Sequence, residues 1–326
     1  MPDCPIVQCI ETEYWIKKPT GEKGPLQLES HQKQILNRWF TPKTEEPYPK
    51  FDWRTFIYSC PKKSGKTETA AAVAYAFLRL YGGECYSIAN DAKQAESRMF
   101  ERVINMLRLM KEEDEPLFCT VVQEDFWDRV QKGGRVVFND NDQVNPGPHS
   151  LQFVASDYAG EAGALNALVV FDEIWGITQE RGERLWTEMQ PQPAIPISLR
   201  FVSTYAGFYG ESELLYGIFD AVCQPDKNEP RTYHGERVDG LNREPVYQKG
   251  NTVCYWDHEG RMPWQTDGWM SEAFADPSIQ GRETEFRRLW MNEWSTGLEP
   301  FLSMEVIQKC IAKGVETGLY NQLERK

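Results

Sequence analysis

Along the first two thirds of the chain the apolar positions switch between a helical and an extended rhythm. Between Leu26 and Phe40 they fall at Leu28, Ile35, Leu36, Trp39 and Phe40, an approximate helical spacing. Gly21 to Pro25 and Thr41 to Lys50, rich in Gly, Pro and charge, read as loops on either side. The run Arg54 to Ser59 predicts a short strand, followed by a Lys/Ser/Gly loop and a buried, Ala-rich helix from Thr67 to Leu80 that Gly82-Gly83 closes. Cys85 to Ala89 predicts a second strand, and Asp91 to Lys111 a long amphipathic helix capped by Asn90 or Asp91. Further strands are expected at Arg135 to Phe138, Leu151 to Ala155, Ala167 to Phe171 and Ile197 to Ser203, with a helix at Gln179 to Gln190. Strands alternating with helices imply an α/β fold built on a mostly parallel sheet covered on both faces. After about residue 210 Tyr, Trp, Gly and Pro become frequent and the pattern breaks up, which predicts a smaller lid subdomain ending with a helix over Arg282 to Trp294.

Candidate chemistry lies at the ends of three predicted strands. Pro61-Lys62-Lys63-Ser64-Gly65-Lys66-Thr67 stands between a strand and a helix. A phosphate-binding loop needs backbone N–H groups at a helix N-terminus, where the helix dipole favours anions. It also needs a Lys for the β- and γ-phosphates and a hydroxyl for Mg²⁺, and Gly65-Lys66-Thr67 supplies these parts. Cys60 stands where the strict pattern has its first Gly. About a hundred residues on, the apolar strand Leu168 to Phe171 ends in Asp172-Glu173. There an Asp can complete the Mg²⁺ shell and a Glu can polarise the attacking water. Phe201-Val202-Ser203-Thr204 delivers two hydroxyls at the end of a further strand, where they can sense the γ-phosphate. Order and context together predict a P-loop nucleoside-triphosphatase.

Pro61 to Glu68 resembles the variant Walker A loop of tailed-phage terminase large subunits, which also lacks the first Gly and carries a basic residue where Lys62 stands. Asp172-Glu173 is similar to the family's Walker B Asp and catalytic Glu, and Ser203-Thr204 to its coupling motif. Leu28-Glu29-Ser30-His31-Gln32 resembles its adenine-recognition segment, and Ala89 to Ala95 the segment after its second strand. The resemblance spans roughly residues 25 to 305 and implies a P-loop fold of the ASCE/RecA-like class. It divides the chain into an N-terminal segment (1–50), an ATPase core (51–210), a lid (211–300) and a linker or tail (301–326). It implies an ATPase motor that moves double-stranded DNA into a procapsid, with ATP and Mg²⁺ as cofactors. Implied partners are the portal protein, the small terminase subunit and further copies of the chain in a ring, in the host cell cytoplasm. By the same likeness Glu173, Lys66 and Lys62 are catalytic. Lys63, Ser64, Gly65, Lys66, Thr67, Glu68 and Asp172 hold the nucleotide, Gln32 reads adenine, Thr204 couples phosphate loss to lid motion, and Thr67 and Asp172 bind Mg²⁺. The family's metal-dependent nuclease half normally follows, and no acidic cluster for it stands after Phe301, so nuclease activity is not expected of these residues. Tyr158 to Leu168 carries no Arg, which leaves Lys62 in cis or an Arg such as Arg129, Arg135 or Arg181 in trans to stabilise the γ-phosphate.

Composition narrows this picture. The net charge of −13 argues against tight autonomous DNA binding and leaves room only for a local basic track. Eight scattered cysteines without a Cys-x-x-Cys pair argue against a zinc module or a disulfide scaffold. No run reaches the roughly 20 apolar residues of a membrane span, and Met1-Pro2-Asp3-Cys4 does not resemble a secretory signal, so an intracellular site is expected. The tryptophans Trp256, Trp264, Trp269, Trp290 and Trp294 are expected to pack inside. Two other readings remain at this level: a superfamily-2 helicase-like ATPase, and a nucleotide-binding scaffold with a degenerate loop.

Overall fold

In the computed structural model residues 3–18, 20–89, 99–117, 119–121, 135–138, 144–145, 149–155, 165–229, 231–241, 243–277, 279, 282–296, 309–310 and 312–313 are described. The chain opens with a helix, α1 (Pro5–Glu13), which buries Ile6, Val7, Cys9 and Ile10, and with a short hairpin, β1 (Trp15–Lys17) and β2 (Lys23–Pro25). Helix α2 (Ser30–Phe40) starts where Glu29 and Gln32 form a reciprocal capping box, satisfying backbone donors that a helix start leaves open. Strand β3 (Thr55–Ser59) leads into the loop 60–65 and helix α3 (Lys66–Tyr81), whose small Ala70, Ala71, Ala72, Ala74 and Ala76 are all fully buried. Next come β4 (Glu84–Ala89), α4 (Glu101–Glu112), β5 (Cys119–Val121), β6 (Arg135–Phe138), β7 (Ser150–Ala155) and β8 (Asn166–Asp172). Helix α5 (Glu180–Glu188) precedes β9 (Leu199–Thr204), as the sequence pattern predicts. The remaining elements are β10 (Phe208–Tyr209), α6 (Glu213–Cys223), β11 (Glu236–Arg237), β12 (Val246–Lys249), β13 (Thr252–Trp256), α7 (Asp267–Ala275), α8 (Glu283–Met291) and β14 (Ser295–Thr296).

Ten strands form one sheet in the order β11-β12-β13-β3-β9-β8-β4-β7-β6-β5. The stretch from β13 to β7 is parallel throughout, and antiparallel strands flank it on both sides. Side chains alternate between the two faces, as extended backbone requires. Phe56, Tyr58, Leu168, Val170 and Phe201 pack with α1, α2, α3 and α4 on one face. Ile57, Val169, Phe171, Val202, Cys254 and Trp256 pack with α5 and α6 on the other. Both faces are dry, so the central strands are buried along their full length, as a parallel sheet demands.

The expected change near residue 210 does not coincide with a break in the sheet. β13 pairs parallel with β3 from Thr252↔Thr55 to Trp256↔Ser59, and β12 and β11 extend the sheet outward, so residues 236–256 belong to the same sheet as the P-loop strand. Of the helix expected over Asp91 to Lys111, Glu101–Glu112 is α-helical, whereas residues 90–98 lie outside the described residues, as does most of the stretch after residue 300. No helix among the described residues is long and apolar enough to cross a membrane.

Candidate functional site

Register places three strand ends side by side: Ser59 opposite Thr204, and Ser203 opposite Asp172. Crevices outside the carboxyl ends of parallel strands are where α/β sheets bind ligands. Here the strand between the loop strand and the Asp-Glu strand is β9, so its Ser203-Thr204 end lies between Lys66 and Asp172.

The loop 60–65 makes its turn at Lys63 (φ 69°) and Gly65 (φ 71°), both left-handed. Cys60 is not among the residues with positive φ. Its thiol is buried in the core, which pushes its pKa up to about 12, and its N–H reaches the Thr204 carbonyl at 3.4 Å. A glycine is therefore not required at that position, and the missing first Gly leaves the loop intact. Gly65 ends the turn at the N-terminus of α3, where open backbone N–H groups and the helix dipole favour an anion.

A cleft of about 750 Å³ opens over this loop, bordered by Lys62, Lys63, Lys66, Thr67, Glu173 and Tyr205. The Lys66 ammonium donates to the Pro61 carbonyl (3.2 Å) and sits 4.8 Å from the centre of the Tyr205 ring. Lys62 lies 5.0 Å over the Trp290 ring, and burial, together with Lys63, Arg288 and Lys66, pulls its pKa down. Several cations bordering one cleft favour an anionic ligand there. Glu68 borders the same cleft but is engaged by Tyr14 (2.8 Å) and Arg102 (3.6 Å).

The Thr67 hydroxyl stands 3.4 Å from each oxygen of Asp172, whose Oδ1 also accepts from Ser203 at 2.7 Å. Hydroxyl and carboxylate are hard oxygen donors, the kind that share Mg²⁺ with substrate phosphates and water. No group of three or more His, Cys, Asp or Glu side chains able to hold a metal occurs among the described residues. Glu173 follows in the left-handed region (φ 61°), pinned by a bond from its N–H to the Ser203 carbonyl (2.7 Å). Such a conformation costs a non-glycine residue about 1 kcal/mol or more and turns the side chain from the strand line into the cleft.

Gln32 and Thr204 have these surroundings. Gln32 lies beside the loop, its Nε2 3.8 Å from where a Cβ on Gly65 would stand, and its amide is tied into the capping box and to α3. Its Oε1 accepts from the Glu29 N–H (3.0 Å), its Nε2 donates to Thr69 (3.0 Å), and it does not border the cleft. Thr204 turns its hydroxyl to the Tyr205 carbonyl (3.1 Å), while Ser203 meets Asp172. Arg129 lies outside the described residues, and of Arg135 and Arg181 only the backbone is described.

Sequence reasoning missed the wall of the cleft. The segment after β13 straps the loop from outside: Trp264 Nε1 donates to the Lys63 carbonyl (2.9 Å), and Gln265 Nε2 to the Lys62 carbonyl (2.9 Å) and the Ser64 hydroxyl (3.1 Å). Trp264 is 49% exposed and, with Trp269, borders the cleft, so these two are not interior packing, whereas Trp256 and Trp294 stack on each other inside. Helix α8 docks on the loop through a 2.6 Å bond from the Lys62 N–H to the Leu289 carbonyl. Its C-cap residue, Asn292, ties three strand ends together by bonding Ser59 (3.0 Å), the Ala206 N–H (2.6 Å) and the Asp257 carbonyl (2.8 Å).

No protein-family model matches the chain, and no curated protein matches its sequence. Among solved structures, the bacteriophage HK97 large terminase superposes with a TM-score of 0.57 at 17% identity, covering 94% of this chain and 58% of that one. The Thermus phage P74-26 large terminase ATPase domain gives 0.44 at 16% identity, over 82% of this chain and 94% of that one. The Phi-28 gp11 DNA packaging motor gives 0.37 at 11% identity, over 74% and 65%. The chain spans about 58% of the length of the HK97 protein. Over nearly its whole length, then, this chain folds as a bacteriophage large terminase does.

Proposed function

We propose that the chain is an ATPase motor subunit of a viral DNA-packaging terminase, coupling ATP hydrolysis to movement of double-stranded DNA into a procapsid. The observation that carries this reading is that Lys66, Thr67 and Glu173 border one cation-lined cleft, with Asp172 bonded to Thr67 and Ser203 just beneath them at adjoining strand ends. In this reading Lys66 leaves the Pro61 carbonyl for the β- and γ-phosphates, Lys62 adds a second positive charge, and N–H groups of residues 63–67 cradle the phosphate oxygens. Ser64 and Gly65 shape that cradle, and Glu68, anchored by Tyr14 and Arg102, bounds it. Thr67 and Asp172 would hold Mg²⁺, which supplies charge neutralisation between the phosphates.

Glu173 orients the attacking water and accepts its proton. Phosphoryl transfer asks little else of the protein than position and charge. Ser203, bonded to Asp172, reports on the metal side of the site, and Thr204 carries the change along β9 toward Tyr205. Gln32, beside the turn at Gly65 and bonded to Thr69, would read adenine with its remaining amide capacity. Double-stranded DNA, a portal, a small subunit and further copies of the chain are the partners this role requires.

ATP turnover that falls to background in Lys66→Ala, together with ATP-driven displacement of a third strand from duplex DNA, would support this reading. Unwinding of forked DNA with no third-strand displacement would favour a helicase instead. ATP binding without Lys66-dependent turnover would leave a nucleotide-binding scaffold.

A further inference from the structure

Trp175 stands two residues beyond Glu173, in a single 3₁₀ turn, and its Nε1 donates to Glu173 Oε2 at 2.7 Å. An indole N–H can only donate, so this bond selects one placement of the carboxylate. The ring that carries the donor is itself clamped. Tyr205 tilts against it at 5.6 Å, Phe208 meets it edge-on at 6.0 Å, and the Arg288 guanidinium lies 4.5 Å over its face. The Trp175 carbonyl accepts from Ser212 at 2.6 Å, which fixes the backbone beneath it.

Arg288 belongs to helix α8 and is 4% exposed. Three aromatic faces surround it, Phe208 the nearest at 4.2 Å, but its polar contacts are thin. It reaches the Ala206 carbonyl at 3.5 Å and Glu285 at 4.0 Å, and its Nε has no hydrogen-bond partner among the described residues. A buried cation is costly unless its surroundings compensate, and here the compensation is mainly aromatic. The charge is thus used to grip rings, Trp175 among them. The same helix receives the Lys62 N–H on its Leu289 carbonyl and sends Asn292 to the ends of β3 and β9. Helix α8 therefore touches the phosphate loop at one point and, through Arg288 and Trp175, the water-activating carboxylate at another.

We propose that Trp175 is a positioning residue for Glu173, and that Arg288 holds Trp175 in register, so that the seat of helix α8 sets the aim of the catalytic carboxylate. This rests on the ATPase reading above. Neither residue needs to touch substrate; both act through Glu173. A displacement of α8 relative to the phosphate loop swings the indole, and the carboxylate with it, which ties water activation to the state of the wall.

Steady-state ATP turnover by the full chain tests the relay. Trp175→Phe keeps an aromatic ring for the clamp and removes only the donor, so kcat falls about tenfold, as loss of one charge-assisted hydrogen bond implies, while KM for ATP stays within about twofold. Arg288→Met keeps the side-chain length and removes the cation, and lowers kcat in the same way, whereas Arg288→Lys restores part of it. The double variant is no slower than the slower single variant, because both act on one carboxylate. In a Glu173→Gln background Trp175→Phe has no further effect. Wild-type kcat in Trp175→Phe, or losses that multiply in the double variant, would overturn the relay alone. Absence of Lys66-dependent turnover in the unaltered protein would overturn the ATPase reading and the relay together.

Discussion

The floor and the wall of the cleft are built on different principles. The floor consists of strand ends, where Ser59, Asp172, Ser203 and Thr204 are fixed by sheet register and are buried to 2% exposure or less. The wall comes from the 257–294 stretch, where Trp264, Gln265, Arg288 and Asn292 reach in from loops and helix α8 to hold main-chain atoms of the floor. In the proposed role the floor and the loop above it carry the groups that bind charge and move protons. The wall carries groups that fix where the floor's groups point. Substitutions in the floor should therefore stop chemistry with little loss of fold, and substitutions in the wall should loosen the fold or shift rates without abolishing them.

The largest effect is expected at Lys66. Lys66→Ala removes the cation at the base of the loop and should cut phosphate release from ATP by about 100-fold or more, with the thermal midpoint little changed. In the wall, Asn292→Ala strands the buried Ala206 N–H and puts alanine where φ is 50°, so denaturant titration should show a loss of about 3 kcal/mol.

A pH effect follows from His31, which borders the wall's Asp257–Arg261 pair. Burial first, and then Arg261, depress its pKa to about 4. The unfolded chain takes up a proton on this side chain near pH 6.5, before the folded one does. Its contribution is complete above that pH and is lost as the pH falls toward 4, amounting to about 2 kcal/mol. Denaturation midpoints followed from pH 7 to 4 should show this slope in the wild type and a shallower one in His31→Gln.

Smaller still, Gln265→Leu releases the Lys62 carbonyl and the Ser64 hydroxyl from the strap, and should raise KM for ATP about fivefold with kcat nearly unchanged. Lys63→Gly relieves the left-handed backbone at the loop's apex and should stabilise the fold by about 0.5–1 kcal/mol in the same titration. A floor variant that unfolds the chain, or a wall variant that silences it while leaving it folded, would break the comparison.

The same contrast explains what could be read before the structure was seen. β3, the loop and α3 announce themselves because an apolar strand, a Lys/Gly turn and an Ala-rich helix are contiguous, and each follows from local residues. Asp172-Glu173 and Ser203-Thr204 end strands whose apolar runs are equally plain. What stayed hidden depends on distant pairings. β13 joins the sheet beside β3 although some two hundred residues separate them, and Thr252 to Trp256 carries no local sign of its partner. Helix α6 lies in the stretch where the apolar pattern breaks up. Arg288 shows nothing special in sequence, since its meaning comes from three aromatic rings on two distant segments. Trp175 and Tyr205 did have a signal, each lying within two residues of a recognised motif. Gln32 is expected from sequence to read adenine, and the structure adds its bonds to Glu29 and Thr69.

The central claim is that these strand ends hydrolyse ATP through Glu173. The most direct measurement is phosphate release by Glu173→Gln beside the wild type, with ATP affinity measured in both. The account predicts similar affinity and a turnover lower by about 100-fold or more in the variant, as removal of a general base implies. Turnover equal to that of the wild type would contradict it.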